Sequence, residues 1–207
     1  MPSTVPQTPR DRRRVRARRE LATAAVALFE ERGFAATTVE DIAAAADYSA
    51  STFFRMFTRK EDAVFFDMPD RLEALGAQLG APSDEPLWPA LRAALIDHAR
   101  TWEEEDPEFA AARVRLFHRE PALSSRYLEY CQDYETWIAD LVAHHRRTDP
   151  QSDVIAQLVA GSVIAGLRSA FRVQAAASGR AAKQSVVVHL ERAFEALETG
   201  PLRAITA

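Results

Sequence analysis

Cysteine is nearly absent: Cys131 stands alone among 207 residues, so no disulfide framework can form within the chain. Glycine is scarce at seven residues and the eleven prolines follow no period, which excludes a collagen-like or low-complexity protein. No apolar run approaches the roughly 20 residues that span a bilayer, and the N-terminus has charge without the apolar core of a secretory signal. A soluble, cytoplasmic protein is the expectation. Catalytic signatures are missing as well. There is no phosphate loop and no dinucleotide fingerprint, and nothing around Cys131 resembles a nucleophile motif. His144 and His145 are adjacent, so on a helix they point about 100° apart and cannot make the i, i+4 pair that zinc favours. No enzyme activity, metal or cofactor is expected.

What is present is an apolar content of 47%, enough to bury the core of one large or two small domains. The formal net charge of -4 hides an asymmetry. Residues 1–60 hold 11 Lys+Arg against 7 Asp+Glu, leaving 15 against 23 for the remainder, so the two parts carry +4 and -8. Most of the basic excess lies between Arg10 and Arg19, where seven arginines face only Asp11. Such a run is a solvated tail or a nucleic-acid contact, and its context decides which.

Periodicity is helical throughout, with no strand pattern and no repeat. Leu21, Ala25, Leu28 and Phe29 form an apolar stripe on a helix over about 11–32, closed by Gly33. Thr37 and Glu40 have capping-box spacing ahead of a short second helix with Val39, Ile42 and Ala46. After a tight turn at Asp47 and Tyr48, Ser49 caps a third helix over about 50–57. Thr58 and Glu61 repeat the capping spacing before a fourth helix, which Pro69 should kink or break; Gly76 to Pro86 reads as a loop. Longer helices follow near 87–105, 107–118, 121–147, 150–177 and 182–198, with Asp106-Pro107, Glu120-Pro121 and Asp149-Pro150 as starts. The expected organisation is all-α with about nine helices. A disordered arm (1–10) precedes a three-helix helix-turn-helix domain (11–58), a C-terminal helical bundle (59–200) and a tail (201–207).

Helices two and three have the dimensions of a helix-turn-helix, whose second helix fits a major groove about 12 Å wide. The residues here also carry a family pattern: Leu28-Phe29-Glu30-Glu31-Arg32-Gly33-Phe34, Thr37-Thr38-Val39-Glu40-Asp41-Ile42-Ala43, Ser51-Thr52-Phe53-Phe54-Arg55-Met56-Phe57 and Lys60-Glu61-Asp62. This stretch of about 55 residues resembles the N-terminal domain of the tetracycline-repressor (TetR) family. The resemblance implies an all-α homodimer that binds operator DNA through its N-terminal domain and an effector through its C-terminal domain. Arg113 through Glu120-Pro121-Ala122-Leu123 to Trp137 is similar to members with acyl-chain or acyl-CoA effectors, including mycofactocin-associated regulators.

Carried over by position, Thr38, Ser49, Ser51, Thr52 and Phe54 face DNA, and Lys60 meets a phosphate at the start of helix four. Arg12, Arg14 and Arg18 of the basic run and Arg55 complete the expected DNA contacts, although Arg55 and Arg59 fit a solvated face equally well. Phe54 and Met56 stand where the family usually has Tyr and often His, and Asp47 replaces a common turn Gly. Phe54 therefore predicts an apolar contact, to a thymine methyl or a sugar.

In the C-terminal part, Trp88, Trp102, Phe109, Phe117, Tyr127, Tyr130 and Trp137 supply the apolar walls that a small-molecule pocket requires, with Arg113, His118 and Arg168 as polar anchors. Most such aromatics also serve a core, and such cations also serve ion pairs. Leu158, Ser162 and Ala165, with Val187, Leu190 and Phe194, are the expected dimer interface in a four-helix arrangement; internal packing is the alternative. The functional expectation is a repressor released from a palindromic operator by an apolar, anionic effector. A DNA-binding regulator controlled by a protein partner is the alternative.

Overall fold

The computed structural model describes residues 8–80, 86–177 and 184–200, and among these every regular element is an α-helix. The expected tail at 201–207 and most of the expected arm lie outside them. In chain order the helices are α1 (Pro9–Arg32), α2 (Val39–Ala45), α3 (Ala50–Met56), α4 (Lys60–Val64), α5 (Met68–Leu79), α6 (Leu87–Glu105), α7 (Pro107–Arg119), α8 (Pro121–Arg146), α9 (Val154–Ala176) and α10 (Val186–Thr199). They group into two compact units: residues up to Arg71 with Glu108–Leu128, and Leu72–Pro107 with everything from Glu129 onward. Packing thus draws α7 and the start of α8 to the N-terminal helices, where the sequence suggested a simple division at 58.

In the first unit α1 begins earlier than its apolar stripe does. The Thr8 hydroxyl accepts from the Asp11 amide at 3.2 Å and the Asp11 carboxylate accepts back from the Thr8 amide at 3.2 Å, with Pro9 at the first helical position. The arginine run is therefore helical from its first residue. Gly33 ends the helix at φ 86°. The expected fourth helix divides in two: Phe65 closes α4, and Pro69 falls in the first turn of α5, where its missing N–H leaves no helical bond unmade. Leu21, Phe29, Ile42, Phe53, Phe65, Leu116 and Leu123 are fully buried here.

The second unit packs α10 on α9 and α6. The Glu103 carboxylate, on α6, accepts from the Val186 amide at 3.2 Å and from the Ser185 hydroxyl, anchoring the start of α10. The start of α9 departs from expectation. Asp153, not Asp149, is the N-cap, accepting from the Ile155 and Ala156 amides at 2.9 and 3.2 Å, while Asp149-Pro150 forms a turn. Hydrogen bonds from Thr148 and then Arg146 hold the Asp153 carboxyl well below the usual range. By length and composition α9 could cross a membrane, with a mean hydropathy of 1.6 over its most apolar window, although Gln157, Arg168 and Arg172 interrupt its apolar run.

Candidate nucleic-acid interface

Four residues, 46–49, connect α2 to α3. Asp47 takes φ 59°, the left-handed conformation that Asp adopts more readily than most side chains but less easily than Gly. The pair is fixed from below by Ile42 and Phe53, both fully buried, with the Phe57 ring 5.2 Å from that of Phe53. From the side, the Tyr48 hydroxyl donates to the Glu20 carboxylate of α1 at 2.7 Å, and Arg16 donates to the same carboxylate at 2.7 Å. Those two bonds, Tyr48's first, hold the Glu20 carboxyl below its ordinary value. Sequence reasoning treated Tyr48 only as a turn residue; its phenol, 28 positions from Glu20, has no local signal.

Caps start both helices. Thr38 caps α2: its hydroxyl accepts from the Asp41 amide at 3.1 Å and the Asp41 carboxylate accepts from the Thr38 amide at 2.9 Å. The box is one residue later than Thr37 and Glu40. Thr37 is instead buried, donating to the Gly33 carbonyl at 2.9 Å. Ser49 caps α3 by accepting from the Thr52 amide at 3.2 Å, and its oxygen lies 3.1 Å from the Thr52 hydroxyl. The next box also shifts by one, the Arg59 amide donating to Asp62 at 3.0 Å.

Outward, α3 presents Ser51, Phe54 and Arg55, with Thr52 half-buried. Thr38 and Ser49 are exposed beside them, and Arg12 and Arg14 are exposed on α1. Arg18 is not in that set. Its guanidinium donates to Asp70 at 3.1 Å and to the Phe66 carbonyl, and the side chain is mostly buried, so a DNA contact would require breaking both. Lys60 also turns inward. Its ammonium donates to the carbonyls of Phe34 at 2.6 Å and Thr37 at 2.8 Å, and sits 4.0 Å from the centre of the Phe34 ring. It thereby clamps the loop that leads into α2. Lys60→Met should lower stability by about 2 kcal/mol through loss of two charge-assisted bonds. DNA affinity, measured well below the melting temperature, should fall with its salt dependence unchanged. A slope shallower by about 0.9 would return the ammonium to a phosphate.

The residues expected to form the effector pocket divide between the units. In the first, Phe117 and Tyr127 stack at 4.3 Å and Phe65 stacks on Tyr127 at 6.4 Å, which is core packing. Phe109 meets Phe66 edge-on at 5.9 Å, and His118 Nδ1 lies 3.0 Å from the Val114 carbonyl. Arg113 is buried, 2.5 Å from Asp67, so an effector would have to displace a carboxylate to reach it. In the second unit, the Trp88 indole donates to Glu198 at 2.8 Å, Trp102 meets Phe171 edge-on at 5.7 Å, and Tyr130 is buried. A Cβ on Gly76 would lie 3.5 Å from the Trp137 indole nitrogen. Arg168 is half-buried on α9.

The six expected dimer residues divide as well. Leu158 and Ala165 are exposed and Ser162 is half-buried on the outer side of α9. Val187, Leu190 and Phe194 are buried inside their own chain and leave no surface for a partner, so that half of the expected interface is corrected. Phe194 meets Trp88 at 5.7 Å.

A buttressed two-helix unit with a polar and aromatic outer face, followed by an apolar helical domain, defines a helix-turn-helix regulator. Residues 21–64 match the model of bacterial regulatory proteins of the tetR family, and residues 85–201 match the MftR C-terminal domain. The chain belongs to the tetR family, with an MftR-type C-terminal domain. It is 33% identical over 150 residues to the HTH-type transcriptional regulator TcmR of Streptomyces glaucescens, covering 70% of this chain and 66%, just under two thirds, of TcmR. The mycofactocin biosynthesis regulator MftR of Mycobacterium tuberculosis (strain ATCC 25618 / H37Rv) is 29% identical over 77% of this chain and 80% of its own. Among solved structures, the fatty acid degradation regulator FadR from Bacillus halodurans superposes with a TM-score of 0.63 at 18% identity, over 89% of this chain and 95% of that one, a likeness of fold alone. These families and relatives are regulators, not enzymes.

Proposed function

We propose that this chain is a cytoplasmic transcriptional repressor that binds a palindromic operator as a homodimer and is released by a small apolar effector with an anionic group, such as a fatty acid or acyl-CoA. The observation that carries the DNA-binding half is the outer face of α3, where Ser51, Phe54 and Arg55 project beside the exposed cap Thr38. In the major groove those side chains reach base edges, while Arg12 and Arg14 follow the phosphates. The effector half is supported by the aromatic side chains of the C-terminal helices, Trp88, Trp102, Tyr130 and Trp137 among them. An effector shifts the equilibrium only if it binds the DNA-free state better, and DNA then weakens effector binding by the same factor.

The test begins with selection of bound fragments from a random DNA pool. Arg12→Gln with Arg14→Gln should flatten the salt dependence of operator binding by about 0.9 per lost phosphate contact. Unchanged affinity and slope would remove α1 from the interface. Long-chain acyl-CoAs and fatty acids are then titrated against the operator complex. Release at one range of chain lengths supports the effector reading, and no response at any length moves control by a protein partner ahead.

A further inference from the structure

Phe54 is the only aromatic among the large apolar side chains left exposed in the described residues, and it stands 57% exposed on the outer side of α3. Its ring lies edge-on to the fully buried Phe53, 5.8 Å away at 85°, so it sits against a fixed base on a helix of only seven residues. A phenyl ring has no donor for a phosphate oxygen. In the major groove the apolar feature presented by a base is the thymine C5-methyl group. Ser51 lies three residues before Phe54, on the same face and with Cβ atoms about 5–6 Å apart, the reach of neighbouring base pairs. Arg55, exposed on the adjacent side, has the guanidinium that suits a guanine edge.

We infer that Phe54 is a specificity-determining residue that reads one thymine methyl in each operator half-site. The inference rests on α3 being the DNA-reading helix and adds what that helix selects. Methyl recognition by an apolar ring depends on removing the methyl from water, and losing that burial weakens binding about 4-fold per site.

The experiment uses the full chain and the selected operator, with deoxyuridine replacing thymidine one position at a time so that only the methyl is removed. Wild-type protein should lose about 4-fold at one thymine per half-site. In Phe54→Ala and Phe54→Gln the same replacement should have no effect, although both variants still prefer the operator over random DNA. Phe54→Leu, which keeps an apolar side chain, should retain part of the methyl dependence. Because the residue is exposed, all three should keep the wild-type circular dichroism spectrum. Neutral methyl removal at every position in the wild type would overturn the inference, placing the ring on a sugar. Methyl dependence that persists in Phe54→Ala would assign the contact to another side chain, and operator affinity unchanged by Phe54→Ala would take the ring off the DNA. Failure of the wild type to select any DNA is a separate outcome, which defeats the reading of α3 itself.

Discussion

Asp67→Ala should destabilise the first unit by about 3–5 kcal/mol, because it strands two guanidinium groups away from water. Arg113 is 4% exposed, and its Nη1 donates to Asp67 at 2.5 Å and to the Val64 carbonyl, at the end of α4, at 3.3 Å. Arg71 takes the other carboxylate oxygen at 2.6 Å. One carboxylate thus pairs with two guanidinium groups through its two oxygens, and Arg113 satisfies a helix-end carbonyl that lacks an intrahelical partner. Replacing all three residues together, as Arg71→Met, Asp67→Leu and Arg113→Met, should cost far less, since no charge is left buried. Burial raises the Asp67 carboxyl, but Arg113 and then Arg71 outweigh it and hold it below its ordinary value. A depressed value in the folded state means that the contribution is complete above the ordinary aspartate range, near 4, and is lost as pH falls toward the folded value. Thermal unfolding between pH 7 and 3 should show this acid loss in the wild type and a weaker one in Asp67→Asn. A change under about 0.5 kcal/mol for Asp67→Ala at pH 7 would show that the cluster contributes little.

The same cluster shows where sequence reasoning stops. Arg113 was legible as a cation on an apolar helix, but the partner that occupies it is 46 residues away, and no local pattern links them. Helix positions came from periodicity and caps, which are local, and so α1, α3, α6 and α7 lie within two residues of expectation. Even there, doublets defeated the register. In Thr37-Thr38 with Glu40-Asp41, either threonine has an acidic residue three positions on; burial of Thr37 against Gly33 decides for Thr38, and burial is a tertiary fact. That Ser51, Phe54 and Arg55 lie outward on α3 was readable because a short helix has few outward positions. Lys60 and Arg18 were not. A long cationic side chain at a helix start can reach out to a phosphate or back to a carbonyl, and spacing cannot distinguish the two. The small residues of α9 announced close packing, but α10 shows one face inward, and tertiary packing alone decides that Leu190 and Phe194 lie on it.

Ala165→Arg should convert the proposed dimer to monomer, and the reason lies in the two apolar sides of α9. On the inner side, Ala156, Ala160, Val163, Ile164 and Ala170 are buried within the chain. On the outer side, Val154, Leu158 and Val173 are 73%, 63% and 53% exposed, and Ser162, Ala165 and Ser169 lie between them. The spacing 154, 158, 162, 165, 169, 173 keeps all six on one stripe of a helix about 35 Å long. A helix apolar on both sides belongs in an interior, and a single chain buries only 33% of the most apolar window. Small residues at the middle of the stripe permit the close approach of a second copy, and a two-fold axis would place each stripe against its equivalent. Arginine at 165 would put two unpaired cations into that centre, one from each copy, raising the dimer Kd by roughly two orders of magnitude or more. Light scattering across a concentration series should show the monomer, with helical circular dichroism unchanged because the site is exposed within the chain. Affinity for a single half-site should persist in the variant while the gain from a second half-site disappears. An intact dimer of Ala165→Arg that binds two half-sites as the wild type does would move the interface off α9.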